Sequence, residues 1–117
     1  MRILLIDDEM IVREALARVL ALQGHAVIQA AGGPDWLVRL EAGEQVDLAL
    51  TDLAMPGMTG LEVARVIKAQ WGELPVGLIT GWGEEVTEHQ RSRVDFVIAK
   101  PFRQEALQDA IARVQGS

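Results

Sequence analysis

Five polar residues stand directly after short, largely apolar runs. Asp7 and Asp8 follow Ile3-Leu4-Leu5-Ile6, Asp52 follows the run from Val46 to Thr51, Thr80 follows Pro75 to Ile79, and Lys100 follows Phe96 to Ala99. An acid, a hydroxyl or a lysine after a strand is usually an ordinary turn or surface residue. Their shared position argues for more. If the runs are strands of one sheet with a common edge, three carboxylates meet there. At an effective dielectric of ~20 and ~5 Å separation, each pair of them costs roughly 3 kcal/mol. Either some carboxyls protonate or a cation sits among them. With no thiolate and no imidazole beside them, the implied ion is hard and oxygen-seeking, and Mg²⁺ fits best. Lys100 adds a fixed positive charge, which leaves room for an anion between metal and lysine. Phosphate is the natural candidate, and a carboxylate can accept a phosphoryl group as an aspartyl phosphate.

The elements that must position these residues follow from hydrophobic periodicity. The run Ile3–Ile6 reads as a buried strand, and Met10 to Leu22 reads as a helix with Val12, Leu16, Val19 and Leu20 on one face. Gly24 is a plausible helix C-cap, and His25 behind it reads as a solvent residue at the helix end. Ala26 to Ala31 reads as a second strand, broken by Gly32-Gly33-Pro34, with a short helix from Pro34 to about Ala42. The stretch Val46–Asp52 is a third strand, turned by Pro56-Gly57. Gly60 to about Trp71 predicts a helix, Pro75–Ile79 a fourth strand, and Glu84 to Ser92 a weakly amphipathic helix. Phe96–Ala99 is a fifth strand, and Gln104 to Gln115 is the final helix. Strict alternation of strand and helix predicts an α/β fold: a parallel sheet, right-handed crossovers, and helices on both faces.

Composition narrows the function classes. The 117 residues fit one domain, residues 1–117, and half of them are apolar, which argues against disorder. The chain has no cysteine and two histidines, so disulfides, thiolate metal sites and histidine-rich metal sites are excluded. A net charge of −6 with no dense basic run argues against direct nucleic-acid binding by this domain. No apolar run approaches a membrane span, so a cytoplasmic protein is the expectation.

Asp7-Asp8, Asp52 with Met55-Pro56-Gly57, Thr80-Gly81 and Lys100-Pro101-Phe102, in this order at successive strand ends, resemble the receiver domain of two-component response regulators. Each motif alone is weak, whereas the ordered set covers essentially the whole chain. The resemblance implies a flavodoxin-like (βα)5 three-layer sandwich with strand order 2-1-3-4-5. It implies a signalling switch that catalyses its own phosphoryl transfer and slow autodephosphorylation rather than a turnover enzyme. Asp52 is then the phosphoacceptor, charged by a sensor histidine kinase or a phosphotransfer protein. Asp8, Asp52 and the Ala54 backbone carbonyl are the implied Mg²⁺ ligands, with Asp7 acting mostly through a metal-bound water. Lys100 would pair with the phosphoryl oxygens, Thr80 would hydrogen-bond one of them, and Gly81 would leave the approach open. The Lys100–Pro101 peptide bond is expected to be cis. The face of the fourth helix, fifth strand and fifth helix would change on phosphorylation and is a candidate dimerisation surface.

Other residues carry less specific readings. Met55 and Phe102 read as packing residues, Trp36 and Trp71 as residues of amphipathic helices, and Trp82 as a candidate partner contact. Many receivers carry an aromatic residue three positions before the lysine; here Val97 stands there, which points to signalling through Thr80 and the loop Gly81–Glu85. A receiver acting as a phosphorylation-independent docking module is the main alternative. A small phosphatase of the haloacid dehalogenase type would need an Asp-x-Asp pattern after the first strand, which Asp7-Asp8-Glu9 does not offer. A nucleotide- or flavin-binding domain would need a glycine-rich loop where this chain has acids. The start at Met1, just before the first strand, favours a receiver at a natural N-terminus. The end at Gly116-Ser117 fits a free-standing regulator or one part of a longer protein.

Overall fold

Strands and helices alternate as the periodicity requires. In the computed structural model, which describes residues 1–81 and 85–116, β1 (Arg2–Ile6), α1 (Met10–Leu22), β2 (Ala26–Ala30), α2 (Asp35–Glu41) and β3 (Leu48–Asp52) form the first half. The second half comprises α3 (Gly60–Gln70), β4 (Val76–Thr80), α4 (Glu88–Arg91), β5 (Phe96–Ala99) and α5 (Gln104–Gln115). All strand pairs are parallel, in the order β2-β1-β3-β4-β5.

The continuous apolar runs arise because the inner strands are covered on both faces. Every residue of β3 and β4 is buried, as are Ile3 to Ile6 of β1. Successive strand residues point to opposite faces, so each run feeds two cores. Ile3 and Leu5 join Leu48 and Leu50 in a core with Leu16 and Leu20 of α1 and Leu107 and Ile111 of α5. Leu4, Ile6 and Ala49 face the other way, toward Trp36 and Leu40 of α2 and Val63 and Ile67 of α3. Burying each large aliphatic side chain contributes about 1.5–3 kcal/mol, so this two-sided packing holds the strand ends firmly in register.

Three sequence expectations change. The fourth helix spans only Glu88–Arg91, and residues 85–87 are not helical. The physical reason is its cap: the Thr87 side chain accepts from the Gln90 N–H while Gln90 Oε1 accepts from the Thr87 N–H, a reciprocal capping box that fixes the helix start. The helix buries no residue, so no apolar stripe extends it backwards. Trp36, read as amphipathic, is 1 % exposed and sits inside the α2–α3 core, and its indole N–H has no hydrogen-bond partner among the described residues. Trp71, at the end of α3, is half-buried against the same core, as its amphipathic position implies. Trp82, with the rest of residues 82–84, lies outside the described residues.

His25 is the third correction. It is half-buried, and its Nδ1 accepts a hydrogen bond from the Met1 amino group at 3.2 Å. Burial first, and then the nearby N-terminal positive charge, lower its pKa below the ordinary histidine value. A base whose pKa is depressed by folding is held neutral in the native state. The stability this confers is fully present above the unfolded-state pKa of about 6.5 and is lost as pH falls through the lower folded value. Urea denaturation should therefore show the midpoint dropping as pH is lowered from neutral through the ordinary histidine value of about 6.5 and below it, with a smaller drop in His25→Gln. An equal drop in both proteins would contradict the assignment.

Candidate functional site

The site forms at the carboxyl edge of the sheet because parallel strands end there together. β1 delivers Asp7 and Asp8, β3 ends on Asp52, β4 ends on Thr80, and Lys100 follows β5. Backbone hydrogen bonds continue past the strand ends. The Asp7 N–H donates to the Ala30 carbonyl at 3.1 Å, the Leu53 N–H to the Ile79 carbonyl at 2.9 Å, and the Lys100 N–H to the Thr80 carbonyl at 2.8 Å. These bonds extend the ladder by a residue and fix where each side chain leaves the sheet.

Asp7, Asp8 and Asp52 each place a carboxylate oxygen within 4.8 Å of the others. Asp7 is 3 % exposed and Asp52 8 %, while Asp8 is exposed. The Asp7 carboxylate accepts the Glu9 N–H at 2.9 Å, which starts the turn into α1 and aims Asp8 outward. Lys100 Nζ lies 3.9 Å from Asp52 Oδ1, a long ion pair whose lysine is one-third exposed. Thr80 is 2 % exposed at its strand end. The structure thus brings four of the predicted residues within direct reach and puts Thr80 at the same sheet edge. Ala54 is exposed in the loop after β3. The Lys100–Pro101 bond is cis. Met55 is buried in the α2–α3 core and Phe102 packs against the α1–α5 core, as their packing assignments require. Val97 is half-buried on β5.

The loop after β3 is shaped by two glycines. Gly57 adopts φ +83°, the left-handed conformation that glycine enters without steric cost, and it completes the turn after Pro56. Gly60, at the start of α3, packs directly on the Asp52 carbonyl oxygen and Leu78, so a methyl group there would have to displace the strand end. Its N–H donates to the Leu53 carbonyl at 2.8 Å. Thr59 and Glu62 form a capping box that anchors α3 beneath the same loop.

Arg13 is a supporting residue that periodicity places only on the polar face of α1. Its Nη1 donates to the Asp7 carbonyl at 2.8 Å and its Nε to Gln29 Oε1 at 3.1 Å, tying the end of β1 to β2 and α1. No local spacing singles it out: Arg13 stands six residues after Asp7 and sixteen before Gln29, beyond the i,i+3 and i,i+4 pairs that a helix brings together.

The all-oxygen donor set and the closeness of the carboxylates, with no histidine in the cluster among the described residues and no cysteine in the chain, fit a small divalent cation such as Mg²⁺. This geometry agrees with what comparison with known proteins finds. Residues 3–112 match the family model described as the response regulator receiver domain. The chain is 33 % identical to the response regulator protein FleR of Pseudomonas aeruginosa over 96 % of its own length and 24 % of that protein's. It is 34 % identical to the response regulator MprA of Mycobacterium avium over 98 % of its own length and 50 % of the other's. Among solved structures, the response regulator TrrA of Thermotoga maritima, in complex with Mg²⁺ and BeF, superposes with a TM-score of 0.88 at 29 % identity, covering 97 % of each chain. This chain belongs to the receiver family of two-component response regulators. It spans between about a quarter and a half of the curated relatives it matches. No helix among the described residues is long and apolar enough to cross a membrane.

The clustered carboxylates make a stability prediction. Without divalent cations, Asp8→Asn removes one of three mutually repelling charges and should stabilise the fold by about 1–2 kcal/mol at low ionic strength. The gain should shrink as salt screens the cluster. Urea denaturation in a chelating buffer measures it, and a destabilised variant would count against the repulsion.

Proposed function

We propose that this domain is a phosphorylation-activated switch in which Asp52 accepts a phosphoryl group from the phosphohistidine of a sensor histidine kinase or a phosphotransfer protein. One observation carries this reading: Asp7, Asp8 and Asp52 converge within 4.8 Å while Lys100 reaches to 3.9 Å from the Asp52 carboxylate. Asp8, Asp52 and the Ala54 carbonyl would hold Mg²⁺, with Asp7 acting through a bound water. When bound, Mg²⁺ supplies positive charge against the phosphoryl oxygens. A solved complex of the Thermotoga maritima histidine kinase ThkA with TrrA, whose TrrA chain is 29 % identical to this one, supports a kinase partner.

In the reaction, an Asp52 carboxylate oxygen forms a bond to phosphorus as the phosphorus–nitrogen bond of the donor breaks. The electron pair of that bond returns to the imidazole, which then takes up a proton from solvent. Lys100 offsets charge on the transferring oxygens, a role worth more in a half-buried site than in water. The Thr80 hydroxyl donates to one phosphoryl oxygen of the product. That contact exists only in the phosphorylated state, so it biases the domain between two conformations. With Val97 in place of an aromatic, the change travels through Thr80 and the segment after it to the face of α4, β5 and α5, which is also the candidate surface for dimerisation. The chain then acts as a single receiver domain over residues 1–117, in the cytoplasm, without contacting nucleic acid itself. Its activity is self-phosphorylation and slow autodephosphorylation rather than turnover.

The test is incubation with acetyl phosphate and Mg²⁺ followed by intact mass measurement. The expected result is one added phosphoryl group, lost in Asp52→Asn and on chelation. Lys100→Ala should slow the gain by about 10²-fold. No gain in the unaltered protein would favour a phosphorylation-independent docking module. Rapid multiple-turnover phosphate release would favour a phosphatase.

A further inference from the structure

Away from the acidic edge, the molecule carries a groove of opposite character. It has a volume of about 490 Å³ and is lined by Arg65, Lys68, Ser92, Arg93, Val94 and Asp95. Arg65 and Lys68 come from α3, and the others from the segment between α4 and β5. Lys68 is committed to the fold: its Nζ donates to Asp95 Oδ2 at 2.7 Å and to the Leu74 carbonyl at 3.0 Å. The same Asp95 oxygen accepts the Val76 N–H at 2.7 Å, so this carboxylate is also committed. Two guanidinium groups are left on the walls. Arg65 is exposed and has no ion-pair partner among the described residues. Arg93 is exposed and, among the described residues, its side chain reaches His89 Nε2 at 3.2 Å and forms no ion pair. Between them, Val94 is half-buried and packed against the α2–α3 core, giving the groove an apolar patch.

We infer that this groove binds an acidic segment of a partner polypeptide, its carboxylates pairing with Arg65 and Arg93 and an apolar side chain resting on Val94. Two exposed guanidinium forks suit carboxylates, which they can engage through paired hydrogen bonds. On a protein of net charge −6, most of the surface repels an acidic chain, so a locally positive groove directs such a chain to one place. The size of the groove suits a few residues rather than a single small anion. Nucleic acid is disfavoured, because a phosphate backbone needs a longer run of cations than two free arginines provide. This surface is distinct from the phosphoryl-acceptor edge, and the inference does not rest on the phosphorylation reading.

The test is a titration of the ¹⁵N-labelled, unphosphorylated full chain with a short blocked peptide of alternating glutamate and leucine. Shifts should concentrate at the amides of Arg65, Ser92, Arg93 and Val94, and the affinity should fall as salt is raised. Arg65→Glu combined with Arg93→Glu should weaken binding by roughly tenfold or more. The milder Arg65→Gln should weaken it less, while a well-dispersed spectrum confirms that each variant is folded. The glutamine version of the peptide should not bind. Shifts located elsewhere, equal binding of the glutamine peptide, no shifts at millimolar peptide, or tighter binding of a duplex oligonucleotide at the same amides would each overturn the inference.

Discussion

Three carboxylates held within 4.8 Å of one another repel, and much of this structure exists to hold them there. An unstructured loop would relieve that repulsion by moving apart. Here Asp7 and Asp52 cannot move far, because each continues a strand whose residues are buried on both faces of the sheet. The ladder bonds from Asp7 to Ala30, from Leu53 to Ile79 and from Lys100 to Thr80 carry that rigidity past the strand ends. Gly60 does the same from below, by packing against the Asp52 carbonyl with no side chain between them. Packing energy distributed over two cores thus sustains an electrostatic arrangement that is unfavourable by itself.

The charges are graded as well as clustered. Asp7 is nearly buried and fixed by the Glu9 N–H and, through its backbone, by Arg13. Asp8 is exposed, and Asp52 lies between these extremes beside Lys100. In the proposed reading, a cation arriving from solvent would meet Asp8 first, with the more buried oxygens of Asp7 and Asp52 behind it. At 3.9 Å, the lysine is close enough to Asp52 to offset its charge and far enough to leave space for further oxygens. The groove lined by Arg65 and Arg93 lies in a different part of the surface, so the molecule separates an acidic edge from a groove of opposite charge.

Much of this was legible in the sequence because parallel sheets simplify the problem. Strands buried on both faces read as unbroken apolar runs, so β1 and β3 stand out, and the residue after each run belongs to a shared edge. The runs alone place Asp7, Asp8, Asp52, Thr80 and Lys100 at one edge of the sheet. It worked less well where an element has no buried face. The short α4 buries nothing, so periodicity overextends it, and only the Thr87–Gln90 capping box marks its start. Trp36 sits on a helix of seven residues, too short for periodicity to distinguish a core position from a boundary one. Arg13, His25 and the Arg65–Arg93 groove depend on contacts between residues far apart in the chain, and no local pattern encodes those.

The most direct test of the central electrostatic constraint is calorimetric titration of the unphosphorylated protein with Mg²⁺. Saturable binding of one ion per chain, greatly weakened in Asp8→Asn and displaced by excess chelator, is the predicted result. An absence of saturable heat, or binding unchanged in Asp8→Asn, would contradict the account, because the clustered carboxylates would then be held together for some purpose other than receiving a cation.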